Sequence, residues 1–424
     1  MQPQYIWPWS FPTFSISVSK ILAIFAILAL IISAFWGKVS VGVYRSKQSL
    51  AIFLIWVLFH LSDLLSPFPI YIADVSSQIV LSALDTIIIM YFVGLGVLSN
   101  VKSYEKAFIA MSLMFGLITV YYAYWANANY FGENWYLFTN GRLNSPAGTS
   151  IGDQNALSIL IVMGMPILLI GYFYVSKTLL KIICLLSIPL IWHSLFLFGS
   201  RGALIALVVT TMFTMKILIS HKKSFVNLTK LKQVNFFRKL ILSGLVAGVL
   251  IQGGVILNRA AETNERVISG SEEPINPRII SWKVGKKLIL DYPLLGAGPQ
   301  RFLMASETLY PGESVHVAHN TFINFSANTG LPVGLLFLSL FWLNYKNFQF
   351  CKENNIYLYP VLDFVDKSCA AALTAYFVGA LFLDLIIFEA FYFILMLNAV
   401  KIFIFKKVLT SSNTLKKPAD NSLV

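Results

Sequence analysis

Apolar runs long enough to cross a bilayer recur along this chain, at about 20–36, 50–66, 79–99, 107–125, 155–175, 182–198, 202–220, 240–257, 320–343, 368–383 and 385–405. A helix that spans the hydrocarbon core needs roughly 20 predominantly apolar residues. The runs therefore predict an all-α polytopic membrane protein with about 11–12 transmembrane helices; the twelfth arises if the aromatic N-terminal segment or 355–365 inserts. Composition agrees, since the chain is 57% hydrophobic and 12% charged, against roughly 25% charged in soluble domains.

The opening stretch MQPQYIWPWSFPTFSISVSK has neither a basic n-region nor a small-residue cleavage site. The first run is expected to stay as a helix rather than leave with a signal peptide. Cys184, Cys351 and Cys369 are odd in number, widely spaced and in or near apolar runs, so neither a disulfide framework nor a CxxC metal site is indicated.

Lysine and arginine orient the chain. With the N-terminus outside, the inside segments 37–49, 100–106, 176–181, 221–239, 344–367 and 401–424 hold 21 of the 32 basic residues, and the short outside segments hold 2. This positive-inside pattern accounts for the net charge of +13 without nucleic acid as a partner. It divides the chain into transmembrane helices 1–8 with short loops (1–257), one large helical loop on the outer face (258–319), and C-terminal membrane helices with a basic tail on the cytoplasmic side (320–424).

Arginine departs from that pattern. Arg142, Arg201, Arg259, Arg266, Arg278 and Arg301 lie outside, six of eight, against only Lys283, Lys286 and Lys287 of 24 lysines. A guanidinium offers phosphate two parallel hydrogen bonds and stays charged, whereas an ammonium is a point charge. The bias points to an anionic ligand on the outer face, most simply phosphate or pyrophosphate. Arg301 is counted with that ligand, while Arg259 and Arg266 are read as partners of Glu262, Glu265, Glu272 and Glu273 in the same loop.

Four outward segments carry the candidates. In NGRLNSPAGTSIGDQNALS (140–158), Asp153 can cap the following helix, which leaves Arg142 unexplained by capping. In FGSRGALIAL (198–207), Arg201 sits in a short turn between two spans, where an arginine is costly unless it snorkels to headgroups or meets an anion. NPRIISWKVGKKLILDYPLLGAGPQRF (276–302) reads as a helix from Asn276 and Pro277 to about Asp291, before Pro293, Gly296 and Gly298. Arg278 falls in its first turn, where free N–H groups and the dipole favour an anion. Trp282 shares that face and is suited to flank a sugar or lipid, and Lys283, Lys286 and Lys287 make the opposite side basic, as in an interfacial helix.

HVAHNTFINFSANTG (316–330) holds two of the five histidines, His316 and His319. Their spacing suits a metal pair, but no third ligand stands nearby and no DxD occurs, so neither a metal nor another cofactor is expected. Nearby positive charge disfavours imidazolium, and a neutral imidazole is what a general base needs. The alternative role is a hydrogen bond capping the helix that begins near Asn320.

Together these segments resemble the O-antigen ligase and polymerase superfamily: SRG after a span, the Arg–Trp–Pro–Gly-x-Gly series, and His-Asn-x-Phe with glycines before the next span. The resemblance covers roughly 140–345. It implies a bacterial inner-membrane glycosyltransferase of the GT-C type in lipopolysaccharide biosynthesis. Such an enzyme uses a polyprenyl-pyrophosphate-linked glycan, needs no metal and works on the periplasmic face. By motif, the essential arginines and histidine of the family fall on Arg201, Arg278 and His319, with Arg142, Trp282, Asn320, Arg301 and His316 as substrate-binding candidates. The implied mechanism is direct displacement. His319 takes a proton from, or orients, an acceptor hydroxyl that attacks the anomeric carbon, and the arginines stabilise the departing pyrophosphate in place of a metal. The polyprenyl tail would lie in a groove between spans, which would account for aromatic-rich helices such as FEAFYFILMLNAV. One departure stands out: SANTG occupies the place where the family carries an acidic residue, often AE.G.

A ligase moves the glycan onto lipid A–core; a polymerase moves it onto another lipid-linked repeat. The compact two-span region after His319 and the size of the 258–319 loop favour the ligase. A lipid-linked glycan transporter is the reading from another class, resting on Asp63, Asp85, Asp384 and Glu389 in or beside spans. It is disfavoured because the informative residues gather at one surface rather than at the midplane.

Overall fold

The computed structural model describes residues 18–69, 76–99, 104–139, 141–146, 153–220, 232–236, 239, 277–311 and 317–415. The expected span at 240–257, Arg259, Arg266 and His316 lie outside these residues. The described elements are α1 (Val18–Phe35), α2 (Lys47–Leu64), α3 (Ser76–Leu98), α4 (Tyr104–Phe131), the strands β1 (Phe138–Thr139) and β2 (Arg142–Leu143), α5 (Gln154–Tyr174), α6 (Thr178–Phe198) and α7 (Arg201–Ser220). After the undescribed stretch come α8 (Pro277–Asp291), α9 (Phe302–Leu309), α10 (Thr321–Thr329), α11 (Leu331–Glu353), α12 (Pro360–Ala380) and α13 (Glu389–Leu415). β1 and β2 pair antiparallel, with Thr139 opposite Arg142.

This is an all-α polytopic membrane protein. Among the described residues, six helices are long and apolar enough to cross a membrane, from Lys47–Leu64 to Arg201–Leu218. Of these, Gln154–Tyr174 is 83% buried and the others 28–50%, so α5 is the central post. Its contact with α4 runs through Gly164, where a Cβ would collide with the Thr119 side chain. Lipid supplies no hydrophobic drive between helices, so close approach at small residues does that work.

Three apolar runs near the C-terminus fold differently from the expectation. The run 320–343 is not one helix. Gly330, at φ +89°, breaks it into α10 and α11, and a Cβ there would overlap the Leu294 carbonyl. Leu331 N–H bonds the Pro293 carbonyl at 2.9 Å across this break. The runs 368–383 and 385–405 overlap α12 and α13 without matching them: 381–383 and 385–388 fall in the link between the helices, and each helix continues past its run through charged residues that interrupt the hydropathy. Lys367 and Lys401, counted with inside loops, are fully buried. Lys367 pairs with Asp363 at 2.6 Å and donates to the Tyr174 hydroxyl of α5 at 2.7 Å, and Lys401 of α13 pairs with Asp366.

The aromatic start of α13 is core rather than the wall of an open groove. Phe391 and Tyr392 are buried, and Phe391 stacks on Tyr376 of α12 with centroids 4.0 Å apart and planes at 9°. Phe337 and Phe341 of α11 complete the cluster.

Candidate functional site

At one end of the bundle, α5 begins, α6 ends and α7 begins, and the local sequence explains each boundary. Asp153 caps α5 by accepting from Asn155 N–H at 3.0 Å and Ala156 N–H at 3.3 Å. Gly199 closes α6 in the left-handed region (φ 61°), which costs a glycine nothing sterically. The Ser200 hydroxyl then accepts from Ala203 N–H at 3.4 Å at the start of α7. Arg201 is thereby the first residue of α7, with its side chain exposed. Arg142, from β2, donates through Nε to the Phe198 carbonyl at 2.9 Å and through Nη2 to Asn155 Oδ1 at 2.7 Å. Its guanidinium thus binds the last turn of α6, where carbonyls lack helical partners, to the first turn of α5.

α8 begins at Pro277, and Arg278 is its second residue, half-buried. Burial, and after it the charge of Arg201, pull the Arg278 guanidinium below its ordinary pKa, with Asp153 opposing. The two arginines and the α5 cap therefore share one neighbourhood. Trp282, one turn on, donates its indole N–H to the Ala318 carbonyl at 2.7 Å. The next residue, His319, has φ 44°, a conformation uncommon outside glycine that costs on the order of 1–3 kcal/mol. Asn320 then caps α10 by accepting from Ile323 N–H at 3.1 Å. His319 is held between this cap and the Trp282 bond.

Residues 381–388, joining α12 to α13, complete the site, and sequence reasoning missed them. The Asn320 amide donates to the Leu381 carbonyl at 3.1 Å, and the Thr321 hydroxyl donates to the Leu383 carbonyl at 2.7 Å. Phe382 lies against Gly202, where a Cβ would stand 2.9 Å from the Phe382 Cβ. The glycine of SRG is what allows that approach. Asn328 donates to Asn324, and Asn324 donates to Asp384, each at 2.5 Å. A carboxylate thus reaches α10 from Asp384. Burial raises the Asp384 carboxyl above its ordinary pKa, with the Asn324 and Ile386 N–H groups opposing. Its acidity beside a span was the only sequence signal, and a separation of 60 residues hid the contact.

Arg301 goes elsewhere. It is 6% exposed and pairs through Nη1 with Asp63 Oδ1 of α2 at 2.6 Å. The neighbouring glycine loop lies on the end of α10, with Ala297 N–H on Ala327 O at 2.8 Å and Gly298 N–H on Asn328 O at 2.7 Å. The geometry makes Arg301 a clamp between α2 and this loop rather than a ligand contact. Arg301→Met is expected to cost about 3 kcal/mol by stranding Asp63, seen as a lower unfolding midpoint in detergent. Lost activity with unchanged stability would return Arg301 to the ligand.

Arg142, Arg201, Arg278, Trp282, His319 and Asn320 therefore lie on segments that a chain of hydrogen bonds and close packing joins at one end of the bundle. The contacts run from α5 to α6 through Arg142, into α7 through the 199–200 turn, and to residues 381–388 through Gly202. Asn320 carries them to α10, Trp282 to α8, and the Arg278–Arg201 pair back to α7. Two of these arginines sit in the first turns of helices, where the dipole is already positive. Guanidinium groups and helix N-termini near one another favour an anion. Among the described residues, no three of His, Cys, Asp and Glu gather closely enough to hold a metal ion. A cavity of ≈ 350 Å³ opens elsewhere, between α7, α11, α12 and α13, lined in part by Phe341, Asn344, Asp366 and Asn398.

No match is found among curated proteins. Residues 186–338, from within α6 to within α11, match a family model described as O-antigen ligase. This stretch carries Arg201, Arg278, Trp282, His319 and Asn320, and its match supports the O-antigen ligase and polymerase superfamily for this chain and, with it, a glycosyltransferase-type enzyme.

Proposed function

We propose that this protein is a metal-independent O-antigen ligase of the bacterial inner membrane. It moves a glycan from a polyprenyl-pyrophosphate carrier onto lipid A–core at the periplasmic face. The observation that carries the reading is the chain of contacts that brings Arg201, Arg278 and His319 to one end of the bundle.

In this mechanism the acceptor hydroxyl loses its proton to His319 and attacks the anomeric carbon. A new carbon–oxygen bond forms as the bond to the pyrophosphate oxygen breaks. Arg201 and Arg278 meet the negative charge that builds on the leaving group, from fixed positions that need no reorganisation. Trp282 and Asn320 position sugar beside His319, and Arg142 holds the α5–α6 corner that frames the anion. The left-handed backbone of His319 is strain of the kind that clusters at working sites.

A polymerase would use the same donor and residues with another lipid-linked repeat as acceptor. The two separate on a lipopolysaccharide gel of a strain lacking the gene, complemented with wild type or His319→Ala. Core with no repeat unit in the deletion strain means a ligase, and core capped by one repeat means a polymerase. A full ladder from the normally expressed His319→Ala variant would remove His319 from the chemistry.

A further inference from the structure

α8 presents three faces. Ser281, Val284, Gly285 and Leu288 are buried, and Gly285 lies against Ile323 of α10. Arg278 and Trp282 run along the edge that meets the site. The remaining arc, roughly 100° wide at 3.6 residues per turn, holds Ile279, Lys286, Leu290, Lys283 and Lys287, in that region all exposed.

The composition of that arc is unusual for a face turned to water. Ile279 and Leu290, 46% and 68% exposed, sit amid the lysines, and Leu294 just beyond the helix is 73% exposed. Its lysines are also the only three of 24 that the orientation of the chain puts outside. Among the described residues, Asp291 at the end of α8 accepts from the Tyr310 hydroxyl, and Glu307 lies on the neighbouring α9. Lys287 extends over the Tyr310 ring, 4.9 Å from its centroid. Apolar side chains flanked by lysines on one stripe fit a helix lying in a membrane surface. The apolar groups enter the acyl boundary and the ammonium groups reach lipid phosphates.

We propose that this stripe docks on the anionic phospholipid headgroups of the adjoining leaflet, so that α8 lies in the membrane plane and carries Arg278 and Trp282 at phosphate level. The inference concerns membrane lipid, not the glycan substrates, and stands independently of the transferase reading.

The test uses the full chain with Leu290→Cys, labelled with an environment-sensitive nitrobenzoxadiazole maleimide. Cys184, Cys351 and Cys369 are all buried, so wild type serves as the unlabelled control. The labelled protein is reconstituted into phosphatidylcholine vesicles with brominated acyl chains, with or without a minority of phosphatidylglycerol. Quenching should be several-fold stronger with phosphatidylglycerol, and Lys283→Gln, Lys286→Gln and Lys287→Gln together should reduce it to the phosphatidylcholine level. An aqueous, unquenched label in both lipids would overturn the docking. Equal quenching in both, unmoved by the triple substitution, would overturn the role of anionic headgroups. No readout depends on activity, so failure here leaves glycosyl transfer to be judged by the gel.

Discussion

Arg278→Gln is expected to slow glycan transfer by about 10²–10³-fold if the proposed mechanism holds, the usual loss when one preorganised charge contact to a developing anion is removed. The fold should survive. Arg278 is half-buried in the first turn of α8, near the like charge of Arg201 and the opposing charge of Asp153. Removing it relieves repulsion between two cations beside a positive helix end and forfeits the attraction of Asp153, so the unfolding midpoint should move little while the rate falls. Arg278→Lys keeps the charge and loses the two-pronged geometry, so it should recover little. Single-turnover transfer from a lipid-pyrophosphate donor, measured beside thermal unfolding, separates these quantities. A lysine variant at full rate would mean that bulk positive charge suffices, and an active glutamine variant would remove Arg278 from the transition state.

The second large effect belongs to His319, where side chain and backbone can be tested apart. Because its φ is 44°, His319→Gly removes the imidazole and the backbone strain together, whereas His319→Ala removes only the imidazole. If the imidazole is the general base, both variants should lose about 10²–10⁴-fold in rate. The glycine variant should unfold later than the alanine variant, by on the order of 1 kcal/mol. Activity in the glycine variant alone would make residue 319 a backbone hinge instead.

The N-terminal half of the bundle and the site's helix starts were legible because each had a local signal. The runs 155–175, 182–198 and 202–220 became α5, α6 and α7 almost residue for residue. Pro277 and Asp291 bound α8 as the capping rules require. Arg201, Arg278 and Asn320 each stand on such a boundary, with His319 just before one, and Trp282 lies one turn inside α8 on the Arg278 side. What escaped depended on partners distant in sequence. A window of hydropathy reads Lys367 and Lys401 as loop charges, since Asp363, Tyr174 and Asp366 neutralise them only after folding. Arg301 looked like its neighbours until Asp63, 238 residues earlier, claimed it. Residues 381–388 carry no motif, and their place in the site follows from Gly202 having no side chain to hold Phe382 away.

The buried charges of α12 bear on how the chain is made. Asp363, Asp366 and Lys367 fall in its first eight residues and are buried, and each such charge left without its partner costs about 3–5 kcal/mol. Alone, α12 is a poor substrate for the translocon. Tyr174 of α5 is already in place when α12 emerges, but Lys401, the partner of Asp366, is synthesised only afterwards. α12 and α13 should therefore partition into lipid as a pair, against a waiting α5. A chain truncated before Lys401 should leave α12 extractable by alkaline wash and open to membrane proteases, so that loss of a tail far from the chemistry removes the enzyme by removing its biogenesis.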